Sequence, residues 1–270
     1  MNTRIIKELT APELAPYARL TERQLQNRLH PEGGLFICES MKVIRVALEH
    51  GMVPVSFLCE EKHLECVNAS MCQYGNDVPV YTASREVLRQ LTGYELSRGV
   101  LCAMRRPQLP SVEALLSPFT SPLSPCRVAV IDSVVNSENI GAIFRAAASL
   151  GIDAVLLTRT CCDPLNRRAC RVSMGTVFQL PWTFLDNYTQ LKGNGFSIVA
   201  LALTDRSVPI DASVLKGIEK MAVILGTEGD GLSDNVLRQA DYVARIPMQR
   251  GVDSLNVAAA AAVAFWELSK

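Results

Sequence analysis

From residue 126 onward, short unbroken apolar runs alternate with segments of helical periodicity. The runs Arg127 to Asp132, Ala154 to Leu157, Ser197 to Leu203, Ala222 to Gly226 and Tyr242 to Ile246 lack the in–out alternation of half-exposed strands. Glu138 to Leu150 and Ser254 to Leu268 carry the helical pattern between and after them. Strands that are apolar on both faces must be covered on both faces, so the pattern predicts an α/β fold built on a parallel sheet with helical crossovers. Ligands of such sheets bind at the carboxyl ends of the strands, which directs attention to the loops just after these runs.

The first part of the chain, 1–106, reads as a small α/β domain. Leu35 to Cys38, Val53 to Cys59 and Gly99 to Met104 look like strands. Lys42 to Glu49 reads as a helix ended by Gly51, and Glu60 to Tyr74 and Ser84 to Leu91 also look helical. Between the two parts, Pro107 to Pro125 holds five prolines and four serines with Glu113 as its one charge. Proline fixes φ and removes a backbone donor, so this stretch is expected to be an extended connector, interrupted at most by a helical turn at Val112 to Leu116. The expected division is therefore 1–106, a linker at 107–125, and 126–270.

Composition narrows the class. A chain of 270 residues with 49% hydrophobic side chains has ample material for a core. Its longest apolar run, the 10 residues Val257 to Trp266, is too short for a membrane span. Met1 to Thr10 lacks the apolar segment of a signal peptide. Nine cysteines without any C-x-x-C fit reduced thiols in the cytoplasm better than a disulfide framework. With 27 basic and 27 acidic side chains the chain has no overall attraction for a polyanion, so any such partner must be met by a local patch. Arg159, Arg167, Arg168 and Arg171, opposed by Asp163 alone, form one candidate. Arg4, Lys7, Arg19, Arg23 and Arg28 form another. A solvated charged face is the plainer reading of either.

Three loops beside expected strands can carry chemistry. The first reads Asn136-Ser-Glu-Asn-Ile-Gly-Ala-Ile-Phe-Arg145, with Asn139 a suitable helix cap and Gly141 allowing close backbone approach. A capped helix bearing a surface arginine explains this segment equally well. The second, Gly226-Thr-Glu-Gly-Asp-Gly231-Leu-Ser, has glycine spacing that can expose backbone amides to a ligand. That spacing is neither G-x-G-x-x-G nor a P-loop, and Glu228 in its middle repels phosphate, so a dinucleotide or NTP site is poorly supported. The third runs from Ile246-Pro-Met248 to Ser254-Leu-Asn256-Val, where Ser254 can cap the alanine-rich helix and Asn256 is a weak helix former.

Together these segments resemble the SpoU (TrmH-type) family of RNA ribose 2′-O-methyltransferases. The resemblance rests on N-x-G-x-x-x-R at 139–145, G-x-E-G-x-G-L-S at 226–233, and I-P-M with S-L-N-V at 246–248 and 254–257. Arg171 to Gly175 and Leu180-Pro181 match the family's central segment. More weakly, Phe36 to Glu39 and Gly99-Val-Leu resemble its ribosomal-protein-like N-terminal RNA-binding domain, although Ser40 stands where a glycine usually follows the glutamate. The resemblance implies a C-terminal trefoil knot, a topology that periodicity does not reveal. It also implies S-adenosylmethionine held by Gly226, Gly229, Ile246, Met248 and Leu255, with Leu203 and Thr204 beside it, and a homodimer packed through the knot domain. Arg145 would stand at the attacking 2′-hydroxyl, with Asn139, Ser254 and Asn256 orienting it and Glu228 holding a donor. Arg159, Arg167, Arg168 and Arg171 would meet RNA phosphates. Ribosomal RNA is the expected substrate, with transfer RNA and a non-catalytic knotted RNA binder as alternatives.

Two other chemistries are weaker. Cys59, His63, Cys66 and Cys72 form a C-x3-H-x2-C-x5-C array whose spacing is looser than that of structural zinc sites, so no metal is expected. Cys161-Cys162 beside arginines is a candidate reactive pair. The histidines, at 30, 50 and 63, all lie away from the three loops, which disfavours a Ser-His-Asp or Cys-His hydrolase.

Overall fold

The structure is a computed structural model that describes residues 2–6, 10–18, 20–27, 31–71, 77–92, 99–119, 125–227, 229 and 231–269. The chain divides into two compact units, Met1–Gln108 with Leu165–Phe178, and Leu109–Pro164 with Gln179–Lys270.

The first unit holds β1 (Thr3–Ile5), β2 (Leu35–Glu39), β3 (Pro54–Glu60), β4 (Val80–Ala83) and β5 (Val100–Arg105) in a sheet ordered β1-β4-β3-β5-β2. Its helices are α1 (Ala15–Ala18), α2 (Glu22–Gln26), α3 (Met41–Glu49), α4 (Leu64–Ser70) and α5 (Arg85–Thr92). β5 runs antiparallel to both β2 and β3, whereas β4 runs parallel to β1 and β3. Gly51, at φ 80, follows the end of α3 where the sequence places a stop. The helix expected from Glu60 starts later. Glu61–His63 is a 3-10 turn and α4 begins at Leu64, while Tyr74 lies outside the described residues. β1 and β4 escape a search for apolar runs because β1 is exposed throughout and β4 is four residues long.

Ser40 accounts for the glycine preference noted at its position. Its φ of 82 and ψ of 141 lie where a side chain is strained, and its hydroxyl accepts the Val43 amide at 3.5 Å to cap α3.

The second unit opens with α6 (Val112–Leu116), β6 (Cys126–Ile131), α7 (Ser137–Ser149) and β7 (Ala154–Thr158). Next in sequence is α8 (Arg167–Val172), which belongs to the first unit. The second unit then continues with β8 (Trp182–Leu185), α9 (Thr189–Gly193), β9 (Ser197–Leu201), β10 (Val208–Pro209), α10 (Ser213–Lys216), β11 (Lys220–Leu225), α11 (Asp234–Gln239), β12 (Tyr242–Arg245) and α12 (Val257–Leu268). The seven strands form one wholly parallel sheet ordered β10-β12-β9-β11-β6-β7-β8. Val128, Leu156, Ile198 and Ile224 fill one face; Val199, Met221, Val223 and Ala244 pack on the other with Ala264 and Leu268 of α12. Both faces are covered, as unbroken apolar strands require.

Two aspartates stitch the amino ends of this sheet in the same way. Asp153, just before β7, accepts the Arg127 amide at 2.8 Å, and Asp241, just before β12, accepts the Ile198 amide at 2.8 Å. The Arg127 guanidinium donates to the carbonyls of Leu268 and Glu219, both at 2.7 Å, and so fastens the end of α12 to the sheet.

The helical turn expected at Val112 to Leu116 is α6, capped by Ser111, and its Val112, Leu115 and Leu116 are buried in the second unit's core. Leu165–Phe178, expected with the C-terminal domain, belongs to the first unit. There Arg171 meets the buried Glu39 carboxylate at 3.5 Å, and the Phe178 ring stands 5.7 Å from that of Phe36. Gly175, at φ 90, sits so close that a Cβ on it would lie 2.8 Å from that of Val46.

Candidate active site

Because all seven strands of the second unit are parallel, their carboxyl-end loops emerge on one edge, and the order β12-β9-β11-β6 makes four of those loops neighbours. The loop after β6 turns at Ser133, which has φ 58. Asn136, and not Asn139, caps α7 by accepting the Glu138 amide at 2.8 Å. Asn139 lies within the first turn of α7 and is 7% exposed. Such a buried amide needs partners, and its Oδ1 accepts from Asn256 Nδ2 at 3.1 Å.

Asn256 is itself the cap of α12, its Oδ1 accepting the amides of Ala258 at 3.0 Å and Ala259 at 3.4 Å. The expectation that Ser254 caps this helix is thus replaced. Ser254 stands two residues earlier, exposed, on the stretch that enters the helix. Asn256 breaks the helical pattern because it precedes the helix and serves both it and Asn139. Arg145, farther along α7, is exposed, and among the described residues no ion-pair partner holds its guanidinium.

After β11, the chain folds back on itself through a bridge between Thr227 and Gly231. Gly226 permits this closure, since a Cβ there would lie 2.8 Å from the Gly231 carbonyl carbon and 2.9 Å from its oxygen. Gly229, at φ 102, has open space around it and needs glycine for its backbone alone. Glu228 falls outside the described residues. After β9, the Thr204 amide donates to Ser207 Oγ at 2.8 Å and Ser207 Oγ donates to the Ala202 carbonyl at 2.8 Å, a tight turn that leaves Leu203 65% exposed. After β12, Ile246 and Met248 are half-buried, Arg250 and Gly251 take φ of 61 and 71, and Leu255 is 39% exposed. The structure thus brings Leu203, Thr204, Gly226, Gly229, Ile246, Met248, Leu255, Asn139, Ser254 and Asn256 onto loops and helix starts of one sheet edge.

The four expected phosphate-binding arginines divide. Arg159 is in the second unit, bonded to Asp186 at 2.7 Å with its guanidinium 5.5 Å from the centre of the Phe184 ring. Arg167, Arg168 and Arg171 lie on α8 in the first unit, with Arg171 engaged by Glu39. Of the looser array, Cys72 is outside the described residues, and no metal-binding cluster exists among those described. The thiol of Cys161 donates to the Ile131 carbonyl at 3.1 Å, and burial raises its pKa, the reverse of what a reactive thiolate needs. His50 and His63 sit in the first unit, outside these loops, and His30 is outside the described residues.

The model of the SpoU rRNA Methylase family matches residues 127–266. The chain is 35% identical over 264 residues to an uncharacterized tRNA/rRNA methyltransferase of Mycobacterium bovis, covering 96% of this chain and 89% of that one. It is 29% identical over 195 residues to the 23S rRNA (guanosine-2′-O-)-methyltransferase RlmB of Acinetobacter baylyi, 70% of this chain and 77% of that one. Among solved structures it resembles an AdoMet-bound rRNA methyltransferase from Sinorhizobium meliloti, with a TM-score of 0.81 at 23% identity over 99% of this chain and 98% of that one. It also resembles an RNA 2′-O ribose methyltransferase, with a TM-score of 0.76 at 26% identity over 98% of both chains. The likeness shows the fold, a trefoil-knotted α/β unit carrying an additional N-terminal α/β domain.

Proposed function

The chain belongs to the SpoU rRNA Methylase family, and on that premise we propose that it methylates a ribose 2′-hydroxyl in structured RNA, with S-adenosylmethionine as donor. The observation that carries this reading is the meeting of Asn139 and Asn256 at 3.1 Å, beside strand-end loops that offer backbone groups and exposed apolar side chains. Those loops suit the donor. Leu203, Ile246, Met248 and Leu255 provide apolar walls, and the closed Gly226 turn is a cradle that a Cβ would fill. Bound there, S-adenosylmethionine supplies an electrophilic methyl group.

The chain's own contribution is alignment and charge. Holding two reactants in line is worth roughly 7–11 kcal/mol of a barrier. Arginine keeps its proton to a pKa above about 12, which makes Arg145 a poor general base. Its exposed fork instead grips a phosphate beside the target ribose and stabilises negative charge developing on the attacking oxygen. Asn139 and Asn256 fix the two helix starts against each other, and Ser254, on the stretch between, contacts the ribose. The G-x-E-G-x-G-L-S motif gives Glu228 the role of holding a hydrogen-bond donor. Arg145→Lys and Arg145→Ala test the fork: if methyl transfer is equal in the two, bidentate phosphate binding by Arg145 is wrong.

Ribosomal RNA is the substrate we favour, in keeping with the relative from Acinetobacter baylyi. Arg159, Arg167 and Arg168 supply phosphate contacts, so RNA affinity should fall steeply with salt. A salt-independent affinity would remove that part of the reading. α12 leaves Ala259, Val263 and Trp266 exposed along one stripe, Trp266 by 61%, which suits burial against a second copy in a homodimer. The protein works in the cytoplasm, where RNA is available and its thiols stay free. Among the described residues, no helix is long and apolar enough to cross a membrane.

A further inference from the structure

We infer that the side-chain network around Asp132 and Thr158 is a positioning device for the substrate-facing start of α7, an inference that rests on the methyltransferase reading above. The loop from β6 to α7 is only a few residues long, yet almost every polar group at its base is engaged. Asp132 Oδ1 accepts from Ser133 Oγ at 2.9 Å and from Thr158 Oγ1 at 3.1 Å. Thr158 Oγ1 in turn accepts the Ser133 amide at 2.9 Å. Thr160 Oγ1 closes the ring, 2.8 Å from Ser133 Oγ and 2.9 Å from Thr158 Oγ1. The Cys162 amide donates to the Val134 carbonyl at 2.9 Å, and Cys161 Sγ donates to the Ile131 carbonyl at 3.1 Å. The Tyr188 hydroxyl is buried beside the same Asp132 carboxylate.

The bonds from Asp132, Thr158 and Thr160 converge on Ser133, whose φ of 58 is unfavourable for a residue with a side chain. Such a conformation persists only where its surroundings over-determine it, and it is found where a fixed geometry serves function. From Ser133 the chain passes Val134, which is 3% exposed, and Val135, which is 75% exposed, to the Asn136 cap. Asn139 and its partner Asn256 follow directly. The side-chain bonds of the network run among Asp132, Ser133, Thr158 and Thr160, and the Asp132 amide joins the strand ladder by donating to the Leu225 carbonyl at 2.9 Å. Asp132, Thr158 and Thr160 therefore act through α7, setting the Asn139–Asn256 contact and where Arg145 meets the RNA.

The test uses the full chain with labelled S-adenosylmethionine and an RNA that the wild type methylates. Thr158→Val removes the central hydroxyl with little change in shape, Thr158→Ser keeps it, and Thr160→Val removes an exposed arm of the ring. We expect Thr158→Val to lower kcat on the order of 10²-fold, the cost of a misplacement of about 1 Å. Donor affinity should be unchanged, and Thr158→Ser should recover most of the rate. Wild-type kcat in Thr158→Val, or loss of donor affinity in step with rate, or equal damage from Thr158→Ser, would overturn the inference. If Thr158→Val does not fold, Thr160→Val decides: a lowered kcat with unchanged donor affinity supports the device, and an unchanged kcat refutes it. A wild type that methylates no RNA sinks the functional reading itself, an outcome distinct from any of these.

Discussion

Asn256 Nδ2 donates to Asn139 Oδ1 at 3.1 Å across 117 residues of chain, while Asn256 Oδ1 caps α12. One amide therefore does two jobs, and substitutions can separate them. Asn256→Ala should lose about 1 kcal/mol from the missing cap and a further ~0.5–1.5 kcal/mol from the lost bond to Asn139. Asn256→Asp keeps the capping oxygen but offers no donor, so it should lose methyl transfer with a smaller loss of stability. Denaturant melts and transfer rates on the two variants decide this; an Asn256→Asp enzyme with wild-type activity would show that the pairing is only structural.

The strain at Ser40 has a consequence that a melt can read. At φ 82 a glycine carries no side-chain penalty, and only a 3.5 Å cap contact to Val43 is given up. Strain of this kind is of order 1–3 kcal/mol, so Ser40→Gly should stabilise by about 1 kcal/mol net and raise Tm. A lower Tm would mean that the cap contact outweighs the strain.

Gly226 and Gly229 should respond differently to the same added methyl. At Gly226 the new Cβ would strike the Gly231 backbone at 2.8 Å, which cannot be relieved by rotating a side chain. At Gly229 it meets open space and pays only for φ 102. Isothermal titration should show Gly226→Ala losing S-adenosylmethionine affinity and Gly229→Ala retaining more of it. The opposite order would remove the closed turn from the donor site.

Burial raises the Cys126 thiol from its ordinary 9.0 to about 12, helped by the neighbouring Asp153 carboxylate. A pKa higher in the folded than in the unfolded state favours folding below the unfolded value and is lost as pH rises. Stability should therefore be insensitive to this group below about pH 9 and decline between pH 9 and about 12. Urea melts from neutral to alkaline pH, with Cys126→Ala alongside, should show a shallower decline in the variant. Equal slopes would assign the alkaline loss to other groups, such as the buried Tyr17 and Cys102, whose pKa values burial also raises.

Much of this was legible in the residues because apolar runs that must be covered on both faces leave few architectures open. β6, β7, β9, β11 and β12 lie where the runs placed them. Caps were less legible. Asn136 and Asn139 are the same residue type three positions apart, and only the fold shows that the first caps α7 while the second is buried. Likewise Ser254 and Asn256 are both competent caps, and the choice depends on Asn139, which is remote in sequence. The membership of Leu165–Phe178 in the first unit left no mark in periodicity, since it comes from long-range contacts such as Arg171 with Glu39. The network at Asp132 was hidden for the same reason, because threonines and a serine in a loop look like ordinary turn residues until their partners are seen.

The most direct test is nucleoside mass spectrometry of unmodified ribosomal and transfer RNA incubated with S-adenosylmethionine and either wild-type protein or Arg145→Ala. The expected result is a 2′-O-methylated nucleoside in ribosomal RNA that is absent with the variant. A methyl group on a base, or a ribose methylation that Arg145→Ala leaves undiminished, would contradict the account.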